Sequence, residues 1–348
     1  MKTDKISIIK PFDAHVHLRD GQLLKTVIPY TINSFGAAVA MGNLADPVDD
    51  LKKVLRYQEE IKQQIPANNG FMPIMSMMVT KNSTPLKISE AEGIVKVLKF
   101  IPGATSTNSD TGVSLFDFQR KYYPVLEAAE KANMIFSIHA ELINDTSGCL
   151  IPELKREEEA IPFVKDIILN FPRLKIVFEH VSTAAACELV KESSANVAAT
   201  ITLHHLLLDY DLVYNNDGNV KNIFYYCKPI AKKRVNSEAI RTAAFSGNKK
   251  FFFGSDSAPH LITAKMEKGA AGIFTAPVAL EKLAEIFFSR DQINLLEKFV
   301  SVSGREFYGL PIPEEKVTLI YQEHEYPEEI GGVKIFNLGG NKLQWEIE

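Results

Sequence analysis

The sequence predicts an α/β protein built as a TIM (β/α)8 barrel with a short C-terminal extension. Three observations predict it. Short apolar runs rich in β-branched and aromatic residues alternate with longer amphipathic segments. Several of those runs are apolar throughout, as strands buried on both faces of a parallel sheet are. Some eight strand–helix alternations recur over about 250 residues, the usual size of such a barrel. A doubly wound open sheet is the structural alternative. Its first strand usually leads into a glycine-rich phosphate turn, whereas here the first strand ends in His15-Val16-His17.

The strand candidates are, in order, Ile6 to His15, Ala37 to Gly42, Phe71 to Val79, Val95 to Phe100, Met134 to Ile138, Leu174 to Phe178, Val197 to Leu203 and Lys250 to Gly254. Helical periodicity falls between them. Asp46-Pro47 opens one helix through Val48, Leu51, Val54 and Leu55 towards Ile61. Others run over Ser114 to Ala132, Pro152 to Asn170, Thr183 to Lys191, Asn236 to Ser246 and Pro277 to Phe288. Residues 1–310 are assigned to the barrel and 311–348 to an extension packed on it. That tail has short strand-like pieces at Lys316 to Tyr321, Val333 to Phe336 and Lys342 to Glu346.

Composition excludes several function classes. The formal charge is −4, from 39 basic and 43 acidic residues, so no basic surplus points to nucleic acid. No apolar run approaches the ~20 residues of a membrane span, and no signal peptide is read at the start. Cys149, Cys187 and Cys227 are odd in number and scattered, which fits a reducing compartment and a cytoplasmic protein.

The polar residues able to do chemistry sit at strand ends: His15 and His17, Asn43, Lys99, His139, His180, His204 and His205, and Asp256. In a barrel those ends form one ring, where active sites lie. Alone, an HxH pair is more often two surface histidines. On a strand its spacing puts both imidazoles on one face, able to grip one cation. His139 and His180 each end a nearly all-apolar run. One such histidine is usually a satisfied core residue, but two at successive strand ends suit a second cation. Asp256 could bind metal and take a proton from bound water, or cap a helix. Lys99 ends an apolar strand. An ammonium beside two dications must lose its proton, pair with an anion or be modified, for instance carboxylated to a bridging carbamate. His204 and His205 fit a supporting hydrogen bond or packing better than metal contact.

Taken together, His15-Val16-His17-Leu18-Arg19-Asp20, Asn43, Lys99, His139, Phe178-Glu179-His180 and Gly254-Ser255-Asp256-Ser257-Ala258-Pro259-His260 resemble the amidohydrolase superfamily. Within it they resemble the dihydroorotases of the shorter, monofunctional bacterial type. The resemblance runs from about Ile8 to Pro311. It implies reversible, zinc-dependent cyclisation of N-carbamoyl-L-aspartate to L-dihydroorotate in pyrimidine synthesis. It also implies a homodimer and two zinc ions per subunit. His15, His17 and Asp256 would hold one zinc, His139 and His180 the other, with N6-carboxylated Lys99 bridging. Arg19, Asn43 and His260 would bind the substrate carboxylate, and main-chain groups near Lys228 and Ala271 would complete the pocket. Two positions depart from the family: Lys228 stands where leucine is typical, and Gly42 replaces a common proline.

Residues 103–112, small and polar, read as an ordinary βα loop or as a lid; the resemblance implies that the hydroxyls of Ser106 and Thr107 reach substrate, as adjacent threonines do in the family. Two rivals remain open. One is a hydantoinase or dihydropyrimidinase with the same metals and no need of a carboxylate clamp. The other is a metal-free scaffold on the same fold, which would lack the ligand set.

Overall fold

The computed structural model describes residues 4–103, 105 and 112–348. At its centre lies an eight-stranded parallel sheet. Its strands are Phe12–Val16, Ala37–Ala40, Met72–Met78, Val97–Phe100, Ile135–Ile138, Lys175–Phe178, Val197–Ile201 and Phe251–Phe253, paired in chain order. The last meets the first through main chain just past the strands. Asp256 N–H donates to His15 O at 2.8 Å, and His17 N–H to Ser257 O at 3.0 Å. The sheet is therefore a nearly closed barrel, as the sequence predicts.

Alternation along each strand builds the interior in layers. Val97, Ile135, Val177, Ala198 and Phe252 form part of an apolar plug with Phe12, Ala14 and Tyr308. One step further along the same strands stand Lys99, Ser137, Glu179, Thr200 and Gly254. One step beyond that come His139 and Asp256. Polar chemistry thus sits directly on top of a dry plug.

The first strand needs a correction of phase to join this pattern. Phe12 and Ala14 belong to the plug, so strict alternation would turn His15 outward. The pairing with Ala37–Ala40 shifts register between Asp13 and Val16. Such a bulge inserts an extra residue and re-aims the side chains after it. Val16 accordingly packs in the outer core, while His15 and His17 line the inner pocket.

Several boundaries differ from the sequence expectation. The first strand candidate, Ile6 to His15, is two strands. Lys10-Pro11 ends the sheet strand Lys5–Ile9, and Pro11, lacking an N–H, precedes Phe12–Val16. A helix over Gly21–Ser34 was not expected, because Pro29 and a β-branched run mask its period. The short helix Pro85–Glu90, with Thr84 as its N-cap, was also unexpected. Ser114 to Ala132 is two helices, Leu115–Lys121 and Tyr123–Lys131, parted at Tyr122 with Pro124 in the first turn of the second. The seventh strand stops at Ile201, because Thr202 caps a helix over Leu203–Leu207 by accepting from His205 N. His204 and His205 therefore lie on that helix and not at the strand end.

The tail packs as a sheet of its own. Lys316–Glu325 pairs antiparallel with both Lys5–Ile9 and Lys342–Ile347. Trp345 is fully buried there, edge-on to Phe288 and Tyr321. No helix among the described residues is long and apolar enough to cross a membrane.

Candidate active site

One pocket at the C-terminal ends of the strands is lined by His15, His17, Arg19, Asn43, Lys99, His139, His180, Lys228, Asp256 and Ala271. A neighbouring cavity of about 620 Å³ shares Arg19, Lys228 and Ala271 with it and is lined further by His260, Tyr226 and Thr105. That size suits a small-molecule site. Ser106 and Thr107 lie outside the described residues. Asp256 is not a helix cap, since the next helix begins only at Ile262.

The donor atoms fall into two groups. His17 Nε2 lies 3.3 Å from His15 Nε2 and 2.9 Å from Asp256 Oδ1, and His15 Nε2 is 3.4 Å from that oxygen. His139 Nδ1 lies 3.2 Å from His180 Nε2. Ligands ~2.0–2.1 Å from a tetrahedral zinc stand about 3.3 Å from one another, so these atoms already have the spacing of coordination edges. Lys99 Nζ is buried among them and finds no hydrogen-bond partner among the described residues. A buried amine without a partner is costly unless something else fills the site. The donor set therefore fits metal ions.

Two carboxylates orient the imidazoles from behind. Glu179 Oε2 accepts from His15 Nδ1 at 2.8 Å and from Thr200 Oγ1 at 2.6 Å, while Oε1 accepts from Ser137 Oγ. Glu141 Oε2 accepts from His139 Nε2 at 2.8 Å. Each bond fixes a tautomer and leaves the opposite nitrogen bare towards the cluster. Sequence reasoning assigned no role to Glu141 or to Glu179. The signal was present in His139-Ala140-Glu141, whose spacing is that of one strand face, and in the polar layer formed by Ser137, Glu179 and Thr200.

Electrostatics favour neutral imidazoles, the form that ligates metal. Burial lowers the His15 pKa against the pull of Glu179, and carries His17 and His180 well below the ordinary value. Burial would raise Glu179, but in the acid range where it titrates His15 and Lys99 carry their protons, and their charges with the hydrogen bonds from His15 and Ser137 hold the carboxyl at about 2. Burial brings Lys99 down to about 8, opposed by Glu179 and Asp256. It raises Asp256, opposed by His15 and Lys99.

Backbone strain concentrates at the same place. Of the five non-glycine residues with positive φ among the described residues, three lie here: Arg19, His180 and Asp256, at 62°, 39° and 42°. Such conformations cost of order 1–3 kcal/mol each in non-glycine residues and persist where the surroundings enforce them. Here they turn side chains into the ring just past the strand ends.

Arg19 Nε donates to Pro259 O at 3.0 Å, and its Nη2 lies 3.0 Å from His260 Nε2. The same nitrogen is 2.9 Å from Ala271 O. Guanidinium only donates and carbonyl only accepts, so the His260 tautomer selects one contact or the other. Lys228 turns its side chain aside, ion-pairing with Glu153 and lying over the Tyr226 ring. His205 bonds Thr202 Oγ1 and Pro229 O, whereas neither ring nitrogen of buried His204 finds a partner among the described residues.

No protein-family model matches the chain. A dihydroorotase of Pseudomonas savastanoi pv. phaseolicola is 37% identical over 353 residues, covering 99% of each chain. One from Aromatoleum aromaticum is 39% identical over 328 residues, covering 93% of this chain and 92% of its own. Among solved structures, the Saccharomyces cerevisiae dihydroorotase in complex with 5-fluoroorotic acid superposes at TM-score 0.90 and 30% identity, covering 99% of both chains. The Campylobacter jejuni dihydroorotase does so at 0.89 and 34%, covering 100% of this chain and 98% of its own. The L-hydantoinase of Arthrobacter aurescens shares the fold at 0.79 with 12% identity, covering 99% of this chain and 83% of its own. Identity above 30% over nearly the whole length, joined to this ring of strand-end donors, shows that the chain belongs to the dihydroorotase family.

Proposed function

We propose that this chain cyclises N-carbamoyl-L-aspartate to L-dihydroorotate, and reverses that reaction, with two zinc ions bound per subunit. The carrying observation is the single pocket that joins two imidazole pairs, Asp256 and the unpartnered Lys99 amine to Arg19 beside His260. His15, His17 and Asp256 would hold one ion, and His139 and His180 the other. Lys99, as its N6-carbamate, would bridge them. The burial that lowers its pKa favours the neutral amine able to add to carbon dioxide. When bound, the ions supply Lewis-acid polarisation of the amide and acidify water.

The chain's own groups do the rest. In the ring-opening direction Asp256 takes the proton of the attacking water and returns it to the departing ring nitrogen. Arg19 offers a planar fork to the substrate carboxylate, with Asn43 and His260 beside it. Main chain at Lys228 and Ala271 would hold the ring, and Ser106 and Thr107 would close over it. The same reading takes the protein as a cytoplasmic homodimer.

Assaying L-dihydroorotate against dihydrouracil tests the substrate, because only the first carries the carboxylate that Arg19 would read. Turnover of dihydrouracil alone would move the chain to the hydantoinase reading. Asp256→Asn should all but abolish turnover of a folded protein, and retention of most activity would remove Asp256 as the base.

A further inference from the structure

Lys265 sits on the helix Ile262–Lys268 and is almost fully buried. Among the described residues it has no carboxylate within ion-pairing distance. Its ammonium instead donates to three main-chain carbonyls: Tyr226 O at 3.3 Å, Ala270 O at 3.2 Å and Gly272 O. Three hydrogens meet three acceptors, so the group is saturated without any counter-ion. A buried cation with no anion is costly to keep, and burial lowers its pKa to about 8.

The carbonyls it gathers belong to two separate segments. One carries Lys228 and the other Ala271, the two main-chain positions assigned above to the cyclic amide. The segments also touch directly, since Gly272 N–H donates to Tyr226 O at 3.0 Å. Gly272 is also pressed against a third stretch of chain: a Cβ on it, at φ +143°, would stand 2.7 Å from Ala258 O. An apolar side chain in place of the ammonium would take a donor from the Ala270 carbonyl and from the buried Gly272 carbonyl, leaving Tyr226 O with only the Gly272 N–H.

We propose that Lys265 is a positioning residue that sets the main-chain wall of the pocket, fixing the spacing between the segments around Lys228 and Ala271 that receive the ring amide. This rests on the substrate reading above. Lys265 touches no reacting atom, so its removal loosens binding of ground state and transition state alike, which raises KM and spares kcat.

The test compares Lys265→Met and Lys265→Arg in the zinc-loaded enzyme. Lys265→Met should raise KM for L-dihydroorotate by about tenfold or more while kcat stays within about threefold. Zinc content should not change, and Lys265→Arg should recover part of the loss. Hydrogen exchange should show the Gly272 amide losing protection in Lys265→Met. If that variant does not fold, Lys265→Gln, which keeps one donor, takes its place under the same criteria. A KM within twofold of the parent, or a loss confined to kcat or to zinc content, overturns the proposal. If the parent enzyme fails to turn over L-dihydroorotate, the substrate reading falls. The exchange measurement then still decides the clamp, and unchanged protection at Gly272 overturns it.

Discussion

Replacing Glu179 by glutamine removes one charge from behind the proposed metal site and changes little else. The carboxylate is fully buried and takes three hydrogen bonds, from His15, Thr200 and Ser137. The glutamine oxygen can take the place of Oε2 and keep the first two. Its amide nitrogen then faces the Ser137 hydroxyl, which can turn to accept. Geometry survives, but the anion that makes His15 a stronger ligand is gone. Losing such a support typically costs 10–100-fold in metal affinity, or about 1.4–2.7 kcal/mol. Glu179→Ala is the poorer probe, because it strands three buried donors at about 1–3 kcal/mol each and endangers folding. The assay is a zinc titration of the metal-free protein against a competing chelator. Glu179→Gln should bind at least one equivalent ten or more times more weakly than the parent. Affinity within twofold of the parent would refute the idea that Glu179 tunes His15.

Three further expectations concern other parts of the molecule. Arg19→Met should raise KM for L-dihydroorotate heavily and leave zinc content intact, as steady-state kinetics with metal analysis would show; an unchanged KM would contradict the carboxylate clamp. Gly254→Ala should lower both stability, by about 1–3 kcal/mol, and zinc affinity, because a Cβ there would meet Thr200 at 2.8 Å and His15 Cβ at 3.1 Å; denaturant melts and the same titration check this. Glu281, buried under the tail sheet, has its pKa raised by burial from 4.5 to about 8. A raised folded-state pKa means that full stability holds below 4.5 and is lost as pH climbs through 8. Glu281→Gln should therefore melt higher than the parent at pH 9 and close to it at pH 4.5; equal melting temperatures at pH 9 would count against this.

Much of the barrel was legible because its strands are buried on both faces. Runs such as Ile135–Ile138 and Phe251–Phe253 carry no polar residue but Ser137, and a histidine or aspartate just beyond them stands out. What sequence could not show depends on pairing between distant segments. The bulge that turns His15 inward exists only relative to Ala37–Ala40. Glu179 reads as a residue flanking a histidine until Thr200 and Ser137 close around it. Lys265 is one of two lysines on a short helix until the carbonyls of Tyr226, Ala270 and Gly272 converge on it. Local masking explains other misses: Pro29 hides a helix, and Thr202 ends a strand within a sequence that still looks extended.

The tail sheet has a consequence for how the molecule is made. Lys5–Ile9 leaves the ribosome roughly 300 residues ahead of its partner Lys316–Glu325. At roughly 5–20 residues per second, that strand waits about 15–60 s with its backbone groups unpaired. Its neighbour Phe12–Val16, which carries His15, waits nearly as long for Phe251–Phe253 and the chain beyond it. The end of the barrel that carries the strand-end donors therefore closes only once the chain around Asp256 has been made, and until then the free edges of both early strands need protection.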